Sequence, residues 1–212
     1  MLTHPDLQRL PGALEASRTS VELESRALRG LWERNEGALR VAVEAIAGIS
    51  GRLVVCGLGK SGHIGKKVAA SMASMGIPSF FLHATEALHG DFGMCTGQDA
   101  GLLISSSGTT KEVVEVAGMM RLIGMPVVTM SSNDTSPLAQ LGCANLNISV
   151  ERESDPLNLA PTSSAVTTLV LGDALAVALQ GLLDFTEEDF GMRHPGGALG
   201  RRVLAERGFD HA

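Results

Sequence analysis

Leu53-Val54-Val55-Cys56-Gly57-Leu58-Gly59-Lys60-Ser61-Gly62-His63-Ile64-Gly65 is a short apolar run that empties into glycines. Arg52 to Cys56 reads as a buried strand and Gly62 onward as a helix, so the glycines lie between a strand's carboxyl end and a helix's amino end. Such a junction is a ready anion site, because glycines let the backbone approach a ligand and the unpaired N–H groups of the first turn attract negative charge. Lys60 adds a mobile cation and Ser61 a hydroxyl donor. Two better-known motifs overlap here. Gly57, Gly59 and Gly62 match a dinucleotide fingerprint, but the acid it wants roughly 20 residues on is missing: the next strand ends in His83. A P-loop would need glycine at position 54, which is Val54. A tight turn with no ligand is the remaining alternative for this stretch.

Outward from this stretch, short units alternate: strand 52–56, helix 62–75, strand 79–82, a helical piece 84–90, strand 101–105, helix 110–123, strand 126–130, helix 136–142, strand 145–148. Alternation without hairpin signals implies an α/β fold, a doubly wound five-stranded parallel sheet covered on both faces. If the strand order is 2-1-3-4-5, a ligand crevice opens at the carboxyl ends of the first and third strands. The third strand runs into Ser105-Ser106-Ser107-Gly108-Thr109-Thr110, a hydroxyl-rich turn before a helix. Serines and threonines populate any turn; their coincidence with the expected crevice is what favours a binding role.

Residues Leu14 to Ile49 show helical periodicity, with Val21, Leu28, Leu31, Leu39, Val43 and Ile46 apolar. Gly37 is the expected break between two helices, and the stripe calls for a partner subunit or for the sheet itself to cover it. Beyond the fifth strand, Thr162 or Ser163 is the expected cap of a long helix reaching Leu183, a third amino end able to face anions. Asp173 and Gln180 interrupt that helix, so it reads as a core helix and not a membrane span. A short helix follows near Glu187 to Phe190.

With 212 residues, 44% hydrophobic, the chain can build a substantial core. A net charge of −6, one Trp and no Tyr argue against a nucleic-acid partner. Cys56, Cys95 and Cys143 are odd in number without paired spacing, and the amino terminus shows no secretory pattern, so a cytoplasmic protein is expected.

A pocket of hydroxyls, amides and one Lys suits a phosphorylated small molecule. Glu112, in the first turn after the serine loop, is placed for chemistry or for helix-dipole complementation alone. Glu153 follows the fifth strand, where a solvated charge is the ordinary outcome. The six histidines match no metal motif, and His194 before Pro195-Gly196-Gly197 could act as acid or base or simply pack. Gly59-Lys60-Ser61-Gly62-His63 misses a nucleophile elbow at its last position. Carboxylates, a His and a Lys around a phosphate pocket suit proton shuttling beside a carbonyl.

Six stretches now stand in order: Gly57 to Gly65, His89-Gly90-Asp91-Phe92-Gly93, Ser105 to Gly108, Leu159-Ala160-Pro161-Thr162-Ser163-Ser164, Gly172-Asp173-Ala174-Leu175-Ala176, and His194-Pro195-Gly196-Gly197-Ala198-Leu199-Gly200. Together they resemble the sugar isomerase (SIS) domain of D-arabinose 5-phosphate isomerases, over residues 20 to 203. The resemblance implies an aldose–ketose isomerase interconverting D-ribulose 5-phosphate and D-arabinose 5-phosphate through a cis-enediol, on the way to the sugar Kdo of lipopolysaccharide and capsule.

The family's roles carry onto Lys60, Glu112, Glu153 and His194 as the catalytic set, without assigning which glutamate is the base. Ser61, Ser105, Ser107 and Thr110 fall on the phosphate-binding turns, Gly76, Ile77, His83 and His89 on further substrate contacts, and Gly59, Thr162 and Ser163 are also expected to bind substrate. No cofactor is required. His83 matches a position where zinc binds in this family as an inhibitor. The resemblance also implies a homotetramer, an N-terminal helical arm over 1–50, the isomerase domain over 51–184, and a tail over 185–212 reaching a neighbouring subunit's site.

Many members continue after Gly-Arg-Arg-Val, here Gly200 to Val203, into paired CBS domains, whereas this sequence ends at Ala212; the implied protein is a short form without them. The serine loop also lacks the usual Asn and Glu at its second and sixth positions, which leaves the sugar open. An isomerase of another phosphosugar, such as a hexulose 6-phosphate, is one alternative. A non-catalytic sugar-phosphate sensor is the other, although the acidic arm offers no basic recognition helix.

Overall fold

Five short strands, β1 (Leu53–Gly57), β2 (Ser79–His83), β3 (Ala100–Ile104), β4 (Val127–Ser131) and β5 (Ala144–Asn147), pair in parallel in the order β2-β1-β3-β4-β5. This computed structural model describes residues 6–208, so His4 and His211 lie outside the described residues. Leu53 stands beside Ser79 and Ala100, and Gly57 beside His83 and Ile104. The sheet therefore has one edge of strand starts and one of strand ends, and the connections diverge at the β1/β3 pair, as the expected order requires.

Side-chain alternation sorts the core. Leu53, Val55, Leu102, Ile104 and Met130 face one layer, made by α2 (Leu31–Ala47), α3 (Gly59–Ser74) and α6 (Ser163–Gln180). Val54, Cys56 and Leu103 face the other, made by α4 (Ala84–Ala87) and α5 (Lys111–Leu122). Every residue of β1 and β3 is buried, and burial of a Val or Leu is worth about 1.5–3 kcal/mol, so these two strands anchor both layers.

Helix α6 is apolar and long enough to cross a membrane by length and composition, but half of it is buried. It packs against α2, α3 and α1 (Leu10–Ala27). Its buried Thr167 and Thr168 satisfy their hydroxyls by donating to the Ser164 carbonyl at 3.0 and 2.7 Å. Its half-buried Asp173 pairs with Lys67 of α3. A core helix is what these contacts describe.

Three expectations need correction. The break between the first two helices falls at Leu28–Gly30, not at Gly37, which lies inside α2 with open space around its Cα. Gly30 takes φ +67°, which separates the two helices. The expected helix 136–142 is only a 3-10 helix, Ala139–Leu141: Ser136 turns its hydroxyl to Ser131 and to the Ala139 N–H instead. The tail carries two helices, α7 (Glu187–Arg193) and α8 (Ala198–Glu206), packed on each other, where one short helix was expected.

Of the N-terminal stripe, Leu31, Leu39, Ala42 and Ile46 are buried by α2 against β5 and α6, so this part covers the sheet. Helix α1 buries no residue, and its Leu10, Leu14 and Val21 are exposed.

Candidate active site

Three turns meet beyond the strand ends at the β1/β3 pair. The first follows β1: Leu58 is extended, Gly59 adopts φ +59°, and α3 starts at Gly59, three residues earlier than its sequence pattern suggested. No side chain caps α3, which leaves its first N–H groups to a ligand or solvent.

The second turn follows β3. Ser105 is buried, its N–H donating to the Met130 carbonyl at 3.1 Å and its hydroxyl paired with that of Thr110 at 2.8 Å. Ser107 accepts the Thr109 N–H and hydroxyl at 3.2 and 3.0 Å. The loop is braced from β4: Ser132 donates its N–H to the Ser106 carbonyl at 2.9 Å, and Leu138 its N–H to that of Gly108 at 3.0 Å.

At the third turn the amino end of α6 is held by a carboxylate. Glu153 Oε2 accepts the N–H groups of Thr162 and Ser164 at 2.8 and 3.1 Å and the Thr162 hydroxyl at 3.2 Å, while Oε1 accepts the Ser164 hydroxyl. The capping expected of Thr162 or Ser163 is corrected: Thr162 is the N-cap residue but its side chain makes no cap bond, and Glu153 supplies the acceptor. Partial burial pushes the Glu153 carboxyl up, yet the hydrogen bonds from Ser164 and Thr162 outweigh it and hold the pKa below the ordinary glutamate value.

These turns enclose a cleft of about 510 Å³ that takes in Ser61, Ser105, Ser107, Thr110, Glu153 and Ser164. Lys60 lines a small recess of about 30 Å³ against it, sharing Ser61, Ser106 and Ser164. Ser106, Ser132 and Ser164 line the cleft as well, and their place on the same turns is the signal the sequence carries for them. Leu58, Val113, Leu159 and Pro161 supply apolar wall.

The remaining candidates lie elsewhere in this chain. Glu112 is half-buried in the first turn of α5, two residues past Thr110, but does not line the cleft. Thr162 touches the cleft only through Glu153, and Ser163 is fully buried with its hydroxyl unpartnered. His83 ends β2 beside Gly57, its Nδ1 buried and without a partner. His89 is exposed beyond α4. Gly76 and Ile77 precede β2 and so stand at the opposite edge of the sheet, in a recess with Ile46 and Leu179. His194 ends α7, stacked on Phe190 at 4.0 Å, with Nδ1 2.8 Å from the Phe190 carbonyl oxygen. Among the described residues no three His, Cys, Asp or Glu side chains converge as a metal site.

Residues 49–178 match the family model described as the SIS domain. The chain belongs to the SIS domain family. Arabinose 5-phosphate isomerase KdsD of Pseudomonas aeruginosa is 49% identical over 191 residues, 90% of this chain and 59% of that protein. Arabinose 5-phosphate isomerase GutQ of Escherichia coli K12 is 47% identical, again over 90% of this chain and 60% of its own length. This SIS chain thus spans about three-fifths of the length of these curated relatives. A solved protein of E. coli CFT073, in complex with A5P, superposes with a TM-score of 0.83 at 36% identity, covering 87% of this chain and 98% of that one.

Proposed function

We propose that this SIS protein is an aldose–ketose isomerase that interconverts D-arabinose 5-phosphate and D-ribulose 5-phosphate and supplies Kdo synthesis. The observation that carries the reading is the meeting of two hydroxyl-rich turns with an ionised glutamate in one cleft. Its likeness to the KdsD and GutQ isomerases and to the A5P complex supports the choice of sugar.

Ser61 and the amides that start α3, with Ser105, Ser107 and Thr110, hold the phosphate dianion. The open-chain sugar then extends its carbonyl end towards Glu153. That carboxylate takes the C2 proton of the aldose, electrons shift to O1, and O1 gains a proton from His194, so that a cis-enediol forms. Return of the proton to C1 with loss of the O2 proton gives the ketose. Lys60 offsets the charge developing on oxygen. Glu153 is assigned the base because it lines the cleft and Oε1 accepts only one of its four hydrogen bonds, which leaves room there for a proton.

His194 exchanges protons on the sugar oxygens from a neighbouring subunit of a homotetramer. Its place outside the cleft of its own chain and the exposed apolar residues of α1 and α6, Leu14, Val21 and Val177, support such an assembly. The free cysteines agree with a reducing, cytoplasmic setting. Incubating the protein with ribulose 5-phosphate and following arabinose 5-phosphate by NMR tests the reaction: a stable equilibrium mixture is expected, and an unchanged ketose rejects it.

A further inference from the structure

The half-buried residues of α1 recur at Ser20, Leu23, Glu24 and Ala27, the spacing of one helical face. That face meets the loop after β5. Ser20 donates its hydroxyl to Ser154 Oγ at 2.7 Å, and Ser154 donates its own to Glu24 Oε1 at 2.9 Å. Among the described residues, these are the hydrogen bonds by which side chains of α1 reach beyond the helix, and both end on Ser154.

Ser154 is buried and directly follows Glu153. Its N–H donates to Thr162 Oγ1 at 2.8 Å, and Thr162 in turn donates to Glu153 Oε2 from its N–H and hydroxyl. The carboxylate is therefore gripped from α6 while the residue beside it is gripped from α1.

From this chain of contacts we infer that α1 is a positioning element of the active site, with Glu24 acting through Ser154 and Thr162 to fix the Glu153 carboxylate against the amino end of α6. The inference rests on the reading of Glu153 as the proton-moving group. The charged groups placed around Glu153 are Glu24, reached through Ser154, Arg152, whose Nε donates to the Glu153 carbonyl at 3.2 Å, and Lys60, which lines the recess beside Ser164. None of them contacts the carboxylate, whose partners are Thr162 and Ser164, so Glu24 works by holding the loop and not by its charge. An acceptor in its place should then suffice.

The test compares the full chain with Glu24→Ala and Glu24→Gln, whose amide oxygen still accepts from Ser154. Two readouts are taken: kcat and KM for arabinose 5-phosphate, and the Glu153 carboxyl titration by NMR. Glu24→Ala should lose about 10-fold in kcat, with little change in KM, because small misplacements of a reacting group are costly. Its Glu153 carboxyl should titrate at higher pH, and Glu24→Gln should match the parent in both readouts. A Glu24→Ala protein that is less heat-stable but unchanged in kcat and in the Glu153 titration overturns the inference, as does a Glu24→Gln protein no better than Glu24→Ala. If Glu24→Ala does not fold, Ser20→Ala, which removes one half-buried hydroxyl, carries the same two readouts. If the parent turns over no sugar, the isomerase reading fails by itself and the titration alone decides: a shift in Glu24→Ala upholds the positioning role, and no shift overturns it.

Discussion

The side chain of Ser136 occupies the space beside Gly108 in which any other residue would carry its Cβ, and Gly108 itself adopts φ +66°. The serine loop and the turn after β4 are therefore fitted to each other at a position that only glycine accepts. Gly108→Ala faces left-handed strain of about 1–2 kcal/mol together with the steric overlap. Its expected cost is about 2–4 kcal/mol, and KM for the phosphosugar should rise at least several-fold as Ser107 and Thr110 shift. Thermal unfolding and steady-state kinetics on the one variant check both.

Helices α3 and α6 meet at Gly172, where an added Cβ would lie 2.5 Å from Val68 Cγ2. Gly172→Ala should destabilise by about 1–3 kcal/mol through overpacking. Adding Val68→Ala opens the missing space, so the double variant should be more stable than the sum of the single changes predicts. A denaturant-melt cycle measures the coupling, and strict additivity would count against this contact.

Asp99 is buried at the edge of strand starts, where it accepts the Arg52 N–H at 2.7 Å and the Thr96 N–H at 2.8 Å. Burial pushes its pKa up, but these bonds, the Thr96 hydroxyl and Arg52 outweigh it and leave the pKa below the ordinary aspartate value. A depressed folded-state pKa contributes stability that is present above the unfolded-state pKa and lost as pH falls through the folded one. Asp99→Asn should therefore lower stability at neutral pH and flatten its fall in acid below the ordinary aspartate range. Because the residue is at the far edge of the sheet, KM should not change.

The thiols should separate by environment. Burial pushes Cys56 up to about 12, with Cys95 nearby adding to it, and burial pushes Cys95 up to about 11. Cys143 is exposed. One equivalent of a thiol reagent at mildly alkaline pH should modify Cys143 first and leave isomerisation intact, and peptide mapping identifies the site.

The sheet order and the crevice were legible because short, mostly apolar strands alternate with helices, and such a pattern leaves few parallel topologies. Element boundaries were less so. Helix α3 takes in Gly59, Lys60 and Ser61, which read as a loop because glycine has a low helix propensity; here the turn geometry decides. Gly37 read as a break since a sequence does not show that the surrounding space is open, while Gly30, seven residues earlier, carries the positive φ.

In the site, Ser61, Ser105, Ser107 and Thr110 were legible from their place at strand ends. The Glu153 cap was not: its partners lie nine and eleven residues away, across a loop whose path the sequence does not encode by any periodicity. The tie from α1 to Ser154 spans 130 residues and more, beyond any local pattern. The roles of Gly76, Ile77 and His89 followed from likeness alone and that of His194 also from its Pro-Gly-Gly neighbours, and within one chain none of the four lines the cleft.

The role proposed for Glu153 is to move a proton between C2 and C1 of a phosphosugar held by the serine turns. Its most direct test is deuterium uptake at C2 of arabinose 5-phosphate in heavy water, followed by NMR with the parent protein and with Glu153→Gln. Uptake by the parent, reduced at least about 100-fold in Glu153→Gln, is the predicted result. Equal uptake by the two proteins would contradict the account.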